Sequence, residues 1–485
     1  MLRGLVVAPL LLLALVLAGP AAAGGPATLV GVAEDSIKQP TLVGARAELD
    51  LVRLAGFDTV RVTAIWAPGE TAPSATELAR LRNAAGAARL AGVRVIVAVY
   101  HFGSRTTPLT DEARGEFARF AASIARAIPY LREFIIGNEP NINRFWLPQF
   151  ETDGSNAASP AYLKLLAESY DALKAVTPRV TVTGGAVSPR GGDNPALSRH
   201  THSPTKFIRD LGAAYRASGR TTPVMDQFAI HPHTDSPGQA PRDSAHPRST
   251  TISIADYDKL VALLGEAFDG TAQRGSTLPI VYAEFGIESL IPPAKERLYT
   301  GSEPATIRPV DEETQGAYYR QAVELAFCQP NVRGIMLFLV QDEPTRATWQ
   351  SGLFYVDRTP KASLRHVQRA AAESRGGTVA RCEGMQLPVK AAKLAWPRGS
   401  GLAARPLRVR LTCSLTCTYE AKLERVADGR AVATARGRLA AKAAGRLALG
   451  GKSVPAGRYR VRLSLVAPVN PAPPTTVVSP LLALR

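Results

Sequence analysis

Phe134-Ile135-Ile136-Gly137-Asn138-Glu139-Pro140-Asn141 decides how the chain is read. Its apolar start reads as a buried strand that Pro140 cannot continue, so Asn138 and Glu139 are expected to project from the strand's C-terminal end. That end is where barrel enzymes keep their chemistry. Taken alone, the octapeptide fits equally a strand followed by a turn with a solvated Glu, and its neighbours must decide.

On both sides, strand-like runs alternate with helix-like ones, the rhythm of parallel β/α units. Before the octapeptide, strands are expected at Ala27 to Ala33, Thr59 to Trp66 and Val93 to Val99, with helices at Ala45 to Leu54, Ala75 to Leu90 and Asp111 to Ala127. After it come a helix at about Pro160 to Ala175, strands at Val180 to Val187, Gln227 to Ile230, Pro279 to Ala283 and Gly334 to Val340, and helices at Thr205 to Ala217, Ile254 to Phe268, Asp311 to Ala326 and Lys361 to Ala372. Eight such units predict an α/β fold, a (β/α)8 TIM barrel, with a domain over 24–375.

The Gly/Arg-rich stretch Glu373 to Arg381 is expected to end the barrel and begin a linker over 376–400. Beyond it the period changes: Leu407 to Leu411 and Arg458 to Leu463 alternate apolar with basic residues, as half-buried strands do, which predicts a small all-β sandwich-like domain over 401–485. Val454-Pro455-Ala456-Gly457 reads as a turn, and Pro468 to Pro474 as a loop or edge.

At the other terminus Met1-Leu2-Arg3 is positive, Leu5 to Leu17 apolar and Ala21-Ala22-Ala23 small, the pattern of a secretory signal peptide over 1–23. The apolar run is shorter than the roughly 20 residues a membrane span needs, and no later stretch reads as transmembrane. With 46% apolar and 20% charged residues the chain reads as globular. The net charge of +17 is uneven: eighteen Lys/Arg face four Asp/Glu from Glu383 onward, leaving residues 24–382 near +2. A basic exported module points to an anionic partner such as a cell-wall polymer, and nucleic acid is not expected.

Four cysteines suit an oxidising compartment. A Cys328–Cys382 bridge would tie the end of a barrel helix to the segment that follows the barrel. Cys413 and Cys417 would lie about 13 Å apart in a continuous strand, too far to bridge without a bend. Neither zinc nor another metal is expected, because no His or further Cys adjoins that pair and His200-Thr201-His202 lacks a matching carboxylate or Cys pattern.

Cleaving a glycosidic bond through a covalent intermediate takes two carboxyl groups about 5–5.5 Å apart, one attacking the anomeric carbon and one protonating the departing oxygen. Glu139 and Glu284 are remote in sequence but fall at the ends of the fourth and seventh strands, which face one mouth in a closed barrel. Gly137-Asn138-Glu139-Pro140 and Glu284-Phe285-Gly286, so placed, resemble the signature of the clan of retaining (β/α)8 glycoside hydrolases that includes cellulase-like family 5. That resemblance spans the barrel and implies Glu139 as acid/base, Glu284 as nucleophile, Asn138 on the sugar 2-hydroxyl and Arg61 holding the nucleophile ionised. It also implies a site residue in His231. His233 stands where the clan usually carries a Tyr, a departure expected to alter the pH profile because imidazole titrates where phenol does not. No cofactor is implied.

Trp66, His101, Trp146 and Trp349 each follow a predicted strand end and are candidate stacking platforms for sugar C–H faces. Trp349 is the candidate substitute for the clan's strand-8 Trp, which is missing from Leu339-Val340-Gln341-Asp342-Glu343. The expectation is a secreted, retaining glycosidase acting on a polysaccharide or oligosaccharide. A non-catalytic carbohydrate- or wall-binding protein is the alternative, and retention of both Glu residues speaks against it.

Overall fold

The computed structural model describes residues 24–485 other than 380, 381, 383–388, 390, 398, 399, 402–404, 415, 441, 442, 452, 453 and 468–473. The expected signal peptide lies outside the described residues, as does most of the Pro468 to Pro474 segment.

Eight parallel strands close into a barrel in sequence order: β1 (Leu29–Ala33), β2 (Thr59–Trp66), β3 (Arg94–His101), β4 (Glu133–Ile136), β5 (Thr181–Val187), β6 (Gln227–Ile230), β7 (Ile280–Phe285) and β8 (Val332–Phe338), with β8 pairing back onto β1. The helices between and after them are α1 (Leu42–Leu54), α2 (Ala75–Ala91), α3 (Asp111–Ala127), α4 (Ala158–Val176), α5 (Pro204–Ala217), α6 (Tyr257–Phe268), α7 (Glu312–Cys328) and α8 (Ser363–Gly376). Several start on side-chain caps that satisfy the first free N–H groups: Ser74 Oγ accepts from Glu77, Thr110 Oγ1 from Ala113 and Asp311 Oδ1 from Thr314.

Two apolar layers result from the period-two alternation of the strands. Inside the barrel Leu29, Ile96, Ala98, Tyr100, Ile135, Ala186, Ala229, Val281, Ala283 and Met336 form one cluster, mostly of small or slender side chains. Outside it a much larger cluster fills the space between strands and helices. This two-layer packing makes the barrel a solid support for whatever its strand ends carry.

The chain after the barrel departs from expectation in two places. Helix α8 runs on to Gly376 because Glu373 is held by Arg320 and Arg369, so the start of the Gly/Arg-rich stretch is helix and not linker. Within the expected linker, β9 (Ala391–Ala395) is already a strand of the C-terminal sheets. The rest are β10 (Ser400–Gly401), β11 (Leu407–Cys413), β12 (Cys417–Arg425), β13 (Ala431–Leu439), β14 (Ala444–Leu449), β15 (Gly457–Val466), β16 (Thr475–Val478) and β17 (Leu482–Leu484). One sheet runs β14-β11-β9; the other runs β10-β17-β15-β12-β13, with β16 also on β15. Val409 and Leu411 of the first share a core with Leu423, Val461 and Leu463 of the second, so the sheets stack face to face as the alternation predicts.

Both cysteine pairs are bonded, Cys328–Cys382 and Cys413–Cys417. The second pair forms because β11 ends at Cys413 and the chain turns before β12 begins at Cys417, leaving the two Cα atoms 6.3 Å apart.

Candidate active site

At the C-terminal ends of the barrel strands lies a cavity of about 860 Å3 that includes Arg61, Tyr100, Asn138, Glu139, His233, Glu284, Glu288, Phe338 and Trp349 in its wall. Five of the expected site residues meet here through direct contacts. Arg61, only 3% exposed, donates from Nη1 to Glu284 Oε1 at 2.6 Å and from Nη2 to Asn138 Oδ1 at 3.3 Å. His231, fully buried beneath the mouth, places Nδ1 3.1 Å from Glu139 Oε1 and 3.6 Å from Glu284 Oε2.

Local backbone irregularities aim the two carboxylates. Val281 and Ala283 of β7 point into the barrel, so strict alternation would turn Glu284 outward. The register against β8 slips between Tyr282 and Phe285, and that irregularity turns the carboxylate into the mouth. On β4, Gly137 takes a φ of 86° and its missing Cβ leaves room for Tyr162, whose Cε2 would otherwise lie 2.8 Å from it. Glu139 follows with a left-handed φ of 42°, held by its N–H donating to Ala186 O at 2.8 Å. A non-glycine residue in that conformation is uncommon and clusters at sites where neighbouring structure enforces it.

The electrostatics of the site act on Glu284. Burial pushes the Glu284 carboxyl up, but the adjoining His231 ring and Arg61 guanidinium outweigh it and hold Glu284 below its ordinary value. No guanidinium bonds Glu139 among the described residues. Tyr100 is pushed up to about 12 by burial, against the opposing pull of Arg61, so its phenol keeps its proton.

His233 does not behave as the exchange of Tyr for His suggests. Its Nδ1 accepts from the Gly286 N–H at 3.2 Å, and its ring stacks on Trp349 at 5.5 Å and 28°. Burial pushes it down to about 4 despite the nearby Glu284 carboxylate, so it stays neutral where an ordinary imidazole titrates. No hydrogen bond joins it to Glu284 among the described residues.

Of the four candidate platforms, one reaches the cavity. Trp349 stands in the loop after β8 against Phe338 and His233, and Gly286 lets it approach: a Cβ there would lie 3.1 Å from the indole. Trp66, His101 and Trp146 are each 1% exposed and do not line the cavity, so none is a stacking surface. Trp66 and His101 pair in register as the last residues of β2 and β3 and face the helices, whereas Arg61 and Tyr100 face inward. Trp146 packs edge-on against His101 and Tyr162, whose hydroxyl donates to Ile136 O and accepts from Gly185 N. These rings brace the strand ends from behind.

Parity could have found Tyr100 and dismissed Trp66: with Arg61 pointing inward, Trp66, five residues on, must point outward. Asn141 was also missed. Its side chain bonds both the Ser188 N–H and carbonyl and the His202 carbonyl, stitching the β4 and β5 loops together. Among the described residues no group of three or more His, Cys, Asp or Glu is placed to hold a metal, and no helix is long and apolar enough to cross a membrane.

Comparison with solved structures agrees with this fold. A family 39 glycoside hydrolase from the gut symbiont Bacteroides cellulosilyticus WH2 superposes with a TM-score of 0.51 at 16% identity, over 88% of this chain and 81% of that one. The chain has the (β/α)8 barrel fold of that glycoside hydrolase. Weaker superpositions are a family 39 enzyme from Xanthomonas axonopodis pv. citri (TM-score 0.46, 15% identity, 89% and 94% covered) and a monomeric beta-xylosidase from Caulobacter crescentus CB15 (0.46, 15%, 89% and 96%). Neither a protein-family model nor a curated protein sequence matches the chain.

Proposed function

We propose that this protein is an exported glycoside hydrolase that cleaves O-glycosidic bonds with retention of configuration. Glu284 is the nucleophile and Glu139 the general acid and then base. The observation that carries the reading is His231 Nδ1, which has a carboxylate oxygen from each residue within 3.6 Å. Oxygens flanking one nitrogen so closely can be no farther apart than the two distances laid end to end. That cap favours the ~5–5.5 Å spacing of retaining pairs over the ~6.5–9.5 Å that inverting pairs leave for water.

The roles follow from the surroundings. Arg61 and His231 favour the ionised form of Glu284, as an attacking carboxylate requires. In the first step Glu284 bonds to the anomeric carbon while the bond to the leaving oxygen breaks and Glu139 gives that oxygen its proton. In the second, Glu139 takes a proton from water, whose oxygen displaces Glu284. Asn138 Oδ1 is occupied by Arg61, leaving the amide nitrogen to donate to the sugar 2-hydroxyl. Trp349 offers a face to the sugar ring.

The C-terminal sheets supply an anion-binding surface in this reading. Three of the four carboxylates after residue 382 lie on β12 or in the turn that follows it, and each is engaged: Glu420 by Lys422 and Arg436, Glu424 by Arg462, and Asp428 by Arg425. The opposite sheet, β14-β11-β9, carries Lys393, Arg408, Arg410 and Arg446 with no Asp or Glu. Arg410 and Arg446 are directly paired across strands, an arrangement that like charges disfavour and a bound anion relieves. An anionic wall polymer suits it. Export is supported by the N-terminal signal pattern and by the two disulfides.

A panel of aryl glycosides and polysaccharides tests the activity, with Glu284→Ala as control. Turnover of at least one substrate by the wild type and none by the variant is expected; equal background rates across the panel would refute the reading.

A further inference from the structure

The charged residues in the cavity wall built by the loops after β7, β8 and β1 are all acidic. Glu34, Asp35, Glu288, Asp342 and Glu343 line it; of the cations elsewhere in the cavity lining, Arg61 is committed to Glu284 and Arg190 to Asp235. Most of these carboxylates are spoken for. Glu34 accepts from the N–H groups of Ser36 and Val340, Asp35 from the N–H and hydroxyl of Thr63, and Glu343 from the N–H of Trp349. Asp342 is taken by Lys361, Tyr299 and the Gly352 N–H.

Glu288 differs. It is 5% exposed and lines the cavity, yet its carboxyl has no hydrogen-bond or ion-pair partner among the described residues. Its oxygens open on the cavity, so a carboxyl otherwise enclosed by protein is left for the cavity's occupant to bond. The charges that face it sharpen the point. Glu303, from the loop before α7, is opposed by Arg346, and Asp342 by Lys361, so neither of those cations is left for Glu288. Burial, with the added repulsion of Glu303 and Asp342, pushes Glu288 up to about 7. The site therefore lacks a positive charge that a ligand can bring.

We propose that Glu288 is a specificity-determining residue that receives the ammonium group of an amino sugar, so that the substrate is a glycan with unacetylated amino groups. The proposal rests on the hydrolase reading only in taking the cavity for a saccharide site. A sugar hydroxyl can also bond a protonated carboxyl, but it brings no charge to offset Glu288 when that carboxyl is ionised. An ammonium compensates it, and an ion-assisted hydrogen bond is about twice as strong as a neutral one.

Calorimetric titration at pH 7 with β-1,4-linked trimers of glucosamine, N-acetylglucosamine and glucose varies only the group on C2. The glucosamine trimer is expected to bind about tenfold more tightly than the other two, the scale of one charge-assisted hydrogen bond. Glu288→Gln keeps the shape and both hydrogen-bonding capacities but not the charge, and is expected to erase that preference while leaving the glucose trimer's affinity unchanged. In the wild type the preference should also shrink between pH 7 and pH 5 as Glu288 takes up a proton. Equal affinities, no binding of any trimer, or a preference that survives Glu288→Gln would overturn the proposal. Binding needs no turnover, so an amine preference in a protein that hydrolyses nothing would uphold this inference and overturn the hydrolase reading.

Discussion

Arg61 Nη1 donates to Glu284 Oε1 at 2.6 Å, joining the second strand to the seventh across the barrel mouth. The same guanidinium reaches Asn138, so one planar fork sets the positions of two residues from different strands. Arg61→Lys retains a charge but cannot span both. It is expected to lower kcat by about 10²-fold or more, with a smaller change in KM, on any aryl glycoside the wild type turns over.

Removing the charge altogether has a separate signature. In the proposed mechanism Glu284 must be ionised to attack, and Arg61 helps hold its carboxyl below the ordinary range. In Arg61→Ala the carboxyl binds its proton more tightly, so the acid limb of kcat/KM is expected to move to higher pH. An unmoved acid limb in a folded variant would show that the pair does not set the nucleophile's charge.

Two buried imidazoles give the protein a pH-dependent stability. His101 and His233 are both pushed down to about 4 by burial. Each is neutral in the fold, whereas in the unfolded chain it titrates near 6.5, so between these values the unfolded state binds more protons. Stability is thus expected to rise with pH from about 4 to 6.5 through these groups and to level off above, as urea midpoints would show. His233→Tyr should flatten part of that slope and leave the kcat/KM profile between pH 6 and 8 unchanged.

The tryptophans divide by location. Trp66→Ala or Trp146→Ala empties a packed position and is expected to cost about 3–5 kcal/mol in chemical unfolding. Trp349→Ala should cost far less stability and instead raise KM, because its ring faces the cavity.

That division shows what the sequence made legible. The eight units, both catalytic candidates, Arg61 and His231 could be read because strand runs and the Asn138-Glu139-Pro140 and Glu284-Phe285-Gly286 breaks are local patterns. Facing is a finer property. Trp66 and His101 sit at strand ends as a platform would, but one step of alternation puts them under helices, while Tyr100 enters the mouth. Glu284 breaks the same alternation through a register slip that no local pattern announces. Glu288 carries no sequence signal, because its isolation depends on which partners Asp342, Glu303 and Glu343 take up in the fold.

The cationic sheet gives a salt test. Arg410→Glu with Arg446→Glu replaces a repelling cross-strand pair by two carboxylates on the face that lacks them. Retention of the full chain on an anionic polymer is expected to weaken steeply with salt in the wild type and to be largely lost in the double variant. Retention that ignores salt would refute an electrostatic basis.

The central claim is that Glu284 attacks the sugar with Glu139 as its acid/base partner. It is tested most directly by following, in real time by proton NMR, the anomer first released from an activated aryl glycoside. The account predicts a first product of the same configuration as the substrate, formed at least about a thousandfold more slowly by Glu284→Gln. An inverted first product, or a Glu284→Gln variant as fast as the wild type, would contradict it.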